Sequence, residues 1–519
     1  MKRADLLSVT AYTSVLRLIG QLFAFASGLT ISATFGATDA TDNYYTALIL
    51  PASLANLVVN ILTNLFAPIY LEHIHHDPAQ QRSILSSLSF VTITALAGAT
   101  LISIAAVPIS TTLRSLQAPN ALQASIFGVA LVTLTPLVGL TRLLSAICEA
   151  HQRYKLPTAA SLLNPLIFVL VLLLTAQRIG IYSLICANLA GQVTELVILL
   201  AYASRNLHIS LRPSLRLHPA IREMLAQSLA PVVTYGALFF IPTFDRATAA
   251  ALDAGSLTTF HYGERIVTVL DLIVMGSIIT VVSNYWAQQS AERGIDATSD
   301  TFNPVISNLL FILVPLSLGG FALRYPIFSV LFHHGLFIAD GASAQVFGLL
   351  LLSAPLNYMI VIIVRLLLIA RDVRAQMILA IGISALNTIL NILLAPLLGL
   401  SGIALSTLLS RVFILVLGYR FLRNRFSQID IKPIQPNLVH TFCCAGIMVI
   451  TLALLQSLLS PALSRSDGLL VQIAALGITI SAGIGVYFGI ASLTHHPEFT
   501  SLRQTVTDRL STSIRSSQA

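Results

Sequence analysis

The sequence predicts an all-α polytopic membrane protein of about fourteen transmembrane helices, with two six-helix lobes in a parallel pseudo-repeat plus two C-terminal helices. Three observations carry that expectation. The 519 residues are 56% hydrophobic and 10% charged, with a mean hydropathy of +0.84, a balance too apolar for a solvated surface around a soluble core. The apolar residues gather into runs of about 20 or more, enough to cross the hydrocarbon at about 1.5 Å per residue. Sequence matches also recur at one spacing along the chain.

In order, the runs cover 8–34, 42–70, 84–111, 119–150, 157–176, 180–203, 223–252, 256–290, 302–323, 342–370, 374–397, 402–419, 437–459 and 468–494. The opening "MKRADLLSVTAYTSVLRLIG" stays apolar past Arg17 without a small-residue cleavage site, so it reads as the first helix and not as a removed signal. With the amino terminus inside, 19 of the 29 basic residues fall on the inner side, and Arg114, Arg178, Arg324 and Arg465 fall outside. Cytoplasmic loops are enriched in Lys and Arg, so both termini are expected in the cytoplasm. The net charge of +8 then belongs to topology and lipid headgroups and calls for no nucleic-acid partner.

The repeat is read from four matches. Basic loops at Arg205–Arg222 and after the twelfth run lie about 215 residues apart. Tyr45 pairs with Tyr262, Asn164 with Asn387, and Gly180-Ile181 with Gly402-Ile403. An even number of helices between matches gives both lobes the same orientation, and such repeats form the substrate site between halves. The expected organisation is 1–204 for the N-lobe, 205–222 for a basic cytoplasmic linker, 223–425 for the C-lobe, 426–494 for helices thirteen and fourteen, and 495–519 for a cytoplasmic tail.

Six arginines lie within apolar runs: Arg17, Arg142, Arg246, Arg265, Arg365 and Arg411. An arginine at the bilayer centre costs about 2.5 kcal/mol or more, so it faces a partner or a wet cavity. Arg246 and Arg265 flank the turn at Ala254-Gly255 at equal depth, roughly 13 to 15 Å below the outer surface. Arg17 reaches a similar depth from the inside. These three are the candidate substrate-binding residues, whereas Arg142 and Arg365 can snorkel and Arg411 is read as structural. The guanidinium fork matches phosphate oxygens and never deprotonates, which points to a phosphate or pyrophosphate ligand. Asp39, Asp42, Glu195, Asp245, Glu264 and Asp271 are candidates for ion coupling or gating, through Na⁺, H⁺ or the membrane potential. Asp245 and Glu264 point about 100° away from their arginine neighbours and pair, if at all, across helices. Small residues at Gly36-Ala37-Thr38 and Ala254-Gly255-Ser256 allow close helix approach and mark a candidate outer gate, with ordinary hairpin turns as the alternative.

The segments "FGATDATDNYYTALILP", "LDAGSLTTFHYGERI" and "VLFHHGLFIADGASA" resemble those of the MurJ/MviN lipid II flippases of the MOP exporter superfamily. The resemblance covers nearly the whole chain. It implies a V-shaped central cavity, alternating access, and export of an undecaprenyl-pyrophosphate-linked peptidoglycan precursor from the inner to the outer leaflet. It also places Arg17 and Arg265 on family cavity arginines and Asp39 on a family acidic position. Where family members carry further arginines in helices one and two, this chain reads "QLFAFASGL" and "LPASLANLVVN". That departure keeps a flippase for an exopolysaccharide or O-antigen repeat unit as an alternative.

Further readings are a cation-coupled multidrug exporter and a membrane glycan polymerase. The first calls for an aromatic, acidic cavity and the second for a large catalytic outer loop, whereas the longest outer loop, about Arg324 to Gly341, has one acid, Asp340. "HIHHDP" from His73 to Pro78 reads as an interfacial loop without a fixed tetrahedral ligand set, and His333 and His334 as surface residues. Cys148, Cys186, Cys443 and Cys444 have no C-x-x-C spacing and indicate neither disulfide nor metal. The expected protein is a monomeric transporter without a cofactor, whose partners are a polyprenyl-pyrophosphate-linked glycan and membrane lipids.

Overall fold

The computed structural model describes residues 3–73, 78–115, 121–206, 213–274, 279–332, 341–426, 429–430, 432–463, 468–501 and 503–504. Among them the regular structure is helical, without a strand. No water is available in hydrocarbon to satisfy backbone N–H and C=O groups, so each apolar run closes its own hydrogen bonds as a helix. The helices are α1 (Arg3–Phe35), α2 (Asp39–His73), α3 (Pro78–Ser115), α4 (Ala121–Val132), α5 (Leu134–Ala150), α6 (Lys155–Ile179), α7 (Ser183–Asn206), α8 (Pro219–Gln227), α9 (Leu229–Ala250), α10 (Ser256–Ile273), α11 (Thr280–Arg293), α12 (Ser299–Ala322), α13 (Arg324–Phe332), α14 (Gly341–Ile369), α15 (Val373–Leu398), α16 (Leu400–Arg425), α17 (Gln435–Leu463) and α18 (Leu469–Leu493).

Among the described residues, eleven segments can cross a membrane by length and composition, or twelve if α8 and α9, which meet at 57°, count as one. One of the eleven, Lys155–Asn206, holds both α6 and α7. Each expected run falls on a helix or a broken pair, and a count of fourteen is consistent with this set. One local expectation changes. Arg324–Phe332, read as loop, is helical, because its apolar side chains Phe328 and Phe332 are buried. His218 caps α8 by accepting from the Ala220 N–H at 3.3 Å, and its own backbone N–H donates to Ser87 Oγ at 2.9 Å. Ile221 and Met224 then enter a core with Ile84, Leu88 and Ile147. His75, His76, His333 and His334 lie outside the described residues.

The chain forms two compact units. The first holds α1–α10, most of α15 and the start of α16. Within it α6 packs on α7 and on α1, while α2 is surrounded by α3, α4, α5, α9 and α10. The second holds α11–α14, most of α16, and α17 and α18. Its core joins Phe311 and Val314 of α12 to Ala445 and Met448 of α17 and Tyr487 of α18, whose hydroxyl donates to the Phe311 carbonyl at 2.7 Å. Buried His496 and Glu498 dock the start of the tail on this unit, with Asn437 Nδ2 donating to Glu498 Oε1 at 2.7 Å. Burial pushes the His496 pKa down, opposed by the Glu498 carboxylate.

The α6–α7 contact depends on Gly191, where a Cβ would stand 2.8 Å from the Asn164 backbone oxygen. Replacing Gly191 with Val forces the helices apart and costs about 1–3 kcal/mol. Thermal unfolding in detergent should show a clear fall in Tm; an unchanged Tm would mean that α6 has room to move.

Candidate functional site

The first unit carries an open polar cavity of about 600 Å³ among α1, α2, α5, α6, α7 and α10. Its wall includes Arg17, Gln21, Ala24 and Ser27 of α1, Tyr44 and Tyr45 of α2, and Thr141 and Arg142 of α5. Asn164 of α6, Asn188, Gln192 and Glu195 of α7, and His261 and Arg265 of α10 complete the polar surface. Three guanidinium groups face one carboxylate, so the cavity favours an anion with additional hydrogen-bonding groups.

Helix periodicity explains which residues meet there. Arg17, Gln21 and Ala24 recur at intervals of four and three, a single face of α1. His261 and Arg265 share a face of α10 by the same rule. Arg265 Nη2 donates to the Ala24 carbonyl at 2.7 Å, tying α10 to α1 at the cavity wall. Arg17 Nη2 lies 3.8 Å from Glu149 Oε1, with the arginine side chain 57% exposed. Glu195, 5% exposed, accepts from Asn164 Nδ2 at 2.8 Å.

Of the three arginines grouped from the sequence, Arg17 and Arg265 line this cavity. Arg246 is outside that lining: its Nε and Nη2 both donate to Glu264 Oε2, at 3.1 and 3.0 Å. The pair joins α9 to α10 across helices. Arg142, expected to snorkel, lines the cavity instead, because helix α5 turns that face towards α1. Arg365 is exposed, and Arg411 donates to Ser353 Oγ in the second unit.

The acids take distinct places. Asp42 is 1% exposed and accepts from the Gly255 N–H at 2.7 Å, the Thr258 N–H at 2.8 Å and the Thr258 hydroxyl at 2.6 Å. It therefore satisfies orphan donors at the start of α10. Gly255, at φ +86°, sits so close to Ala37 that a Cβ would stand 2.8 Å from the Ala37 carbonyl oxygen. The two small-residue turns marked in the sequence thus touch. Asp39, partly buried, opens α2, whose first turn is braced by Thr38 N–H donating to Thr41 Oγ1 at 2.9 Å. Asp271 is partly buried farther along α10.

Asp245, 6% exposed, accepts from Asn391 Nδ2. Asn391 also donates to Asn387 Oδ1 at 3.2 Å and accepts from the Ser406 hydroxyl. Sequence reading missed Asn391 and Ser406; its one signal was the match of Asn387 to Asn164. Among the described residues no group of three or more His, Cys, Asp or Glu side chains forms a metal cluster.

Comparison with known proteins adds an independent line. The family described as Lipid II flippase MurJ matches residues 31–474. A lipid II flippase MurJ of Burkholderia cenocepacia is 23% identical over 432 residues, covering 77% of this chain and 80% of its own. A solved lipid II flippase MurJ in an inward closed conformation superposes with TM-score 0.74 at 16% identity, over 93% of this chain and 98% of that one. An inward-facing multidrug resistance MATE family transporter of the MOP superfamily gives 0.60 at 14% identity, over 79% and 98%. Those structural likenesses establish a shared fold, and the family match across most of the sequence establishes the lineage: this multi-pass membrane chain belongs to the lipid II flippase MurJ family of transporters.

Proposed function

We propose that the chain flips lipid II from the inner to the outer leaflet of the bacterial inner membrane by alternating access, and that Arg17, Arg142 and Arg265 receive the pyrophosphate in the first-unit cavity. The observation that carries this reading is the convergence of those three guanidinium groups on one polar cavity of about 600 Å³. A diphosphate offers the oxygens that guanidinium forks bind best, while Asn164, Asn188 and Gln192 supply amides suited to the glycan and peptide. Family membership supports the cargo. The uncharged cavity wall at Gln21, Ala24 and Ser27 favours, as a second reading, another lipid-linked glycan such as an exopolysaccharide or O-antigen unit.

In this reading both termini are cytoplasmic, the protein acts as a monomer with two six-helix lobes, and the Asp42 contact with α10 closes the outer side. Glu264 holds Arg246 as a strut between α9 and α10. Asp245, a buried carboxylate held by the Asn391 amide that also engages Asn387 and Ser406, is the coupling site for Na⁺ or H⁺, since hard cations take oxygen ligands. Glu195, Asp39 and Asp271 are secondary candidates for coupling or gating.

Three outcomes test these assignments. In cells depleted of their own lipid II flippase, the wild type should restore outer-leaflet lipid II and Arg265→Ala should remain near background. If a folded wild type fails as well, lipid II is the wrong cargo. Asp245→Asn should leave binding of the lipid headgroup within about threefold, a change of roughly 0.6 kcal/mol, and abolish the dependence of transport on Na⁺ or pH; persistence of that dependence moves the coupling site elsewhere. Asp42→Ala deprives two N–H groups of α10 of their acceptor. A cysteine placed at Ala37 should then label several-fold faster with a membrane-impermeant maleimide added outside, and equal labelling rates would remove Asp42 from the gate.

A further inference from the structure

We propose that His261 is a further headgroup-positioning residue, its imidazole donating a hydrogen bond to the cargo's diphosphate beside Arg265. The inference rests on the reading of the cavity as a diphosphate site and names a group that neither the family resemblance nor the arginine pattern identifies.

His261 and Arg265 lie four residues apart on α10, hence on one face, and both line the cavity. The imidazole ring lies against Tyr45 of α2, with centroids 4.3 Å apart and planes at 35°. Tyr45 is itself buried and braced by the edge of Tyr44, 5.3 Å between centroids. Stacking thus fixes the ring plane without using its nitrogens. Among the described residues neither nitrogen has a hydrogen-bond partner, so the donor is presented to the cavity.

The surrounding charges select the ligand. Arg265 and Glu264 accompany His261 on α10, Arg246 approaches from α9, Tyr45 and Asp42 from α2, and Arg17 stands on α1. Glu264 is engaged by Arg246, and Asp42 is spent on the α10 N-terminus. No carboxylate of the described cavity wall is left to pair with a protonated imidazole except Glu195, which is held by Asn164 on α7. Negative charge is therefore left for the ligand to bring, and a neutral imidazole donates its one N–H to it.

The test uses the full chain in nanodiscs with undecaprenyl diphosphate as probe and uncharged undecaprenol as reference. His261→Phe keeps a ring against Tyr45 and removes the donors; His261→Gln keeps a donor that does not titrate. Wild type should bind the diphosphate lipid more tightly than undecaprenol, and His261→Gln should stay within about threefold of it. His261→Phe should lose about tenfold in affinity, the size of one hydrogen bond to a charged group, with undecaprenol binding unchanged.

A Phe variant with wild-type affinity for the diphosphate lipid would reduce His261 to a packing residue. Should the Phe variant fail to fold, a His261→Ala variant with wild-type affinity would overturn the proposal alone. Arg265→Gln separates the two levels of inference. Loss there with no effect at His261 sinks only the histidine, whereas a wild type that prefers undecaprenol or does not discriminate sinks the diphosphate site and the histidine with it.

Discussion

The buried carboxylate of Asp42 at the amino end of α10 is the interaction on which the cavity depends. A charge with 1% exposure is costly unless it is hydrogen-bonded, and a helix start carries unsatisfied N–H groups and positive dipole potential. Each removes the other's cost. Because Asp42 lies in the first turn of α2, the bond sets both the height and the rotation of α10 against α2. The side chains of His261, Glu264 and Arg265 project from the two turns that follow. A left-handed Gly255 against Ala37 makes the approach sterically feasible.

Beyond that contact the first unit is organised by how its charges are discharged. Glu264 neutralises Arg246, Asn391 holds Asp245, and Asn164 holds Glu195. What remains facing the cavity is an excess of guanidinium groups on α1, α5 and α10. A site built this way differs from one in which acids and aromatic rings receive a lipophilic cation. The helix scaffold it shares with multidrug transporters of the superfamily is therefore no guide to cargo, which resides in the side chains placed on that scaffold.

Sequence identity of 16% with a solved flippase alongside a TM-score of 0.74 has a physical basis. The bilayer accepts almost any apolar residue on a lipid-facing helix surface, so two chains can share a helical scaffold with few identical residues. The places with least steric freedom are those where backbones touch, such as Gly191 against Asn164 and Gly255 against Ala37. Polar residues within the membrane are likewise held by named partners, and these carry the chemistry.

The sequence by itself determined that the chain is helical, where the helices run, which arginines lie inside them and which turns are tight enough to touch. These follow from local rules: a fixed rise per residue, the obligation of each segment to satisfy its own backbone, and the steric needs of glycine. Cargo class was legible from arginine chemistry together with the quoted family segments. Only the tertiary structure decided that Arg142 joins the cavity while Arg246 turns to Glu264, that Asp42 caps α10, and that Asn391 links Asp245 to Ser406. An apolar run is equally apolar on every face, so its sequence states depth but not rotation. Rotation is set by packing between helices distant in the chain, and it chooses which polar side chain meets the cavity and which meets another helix.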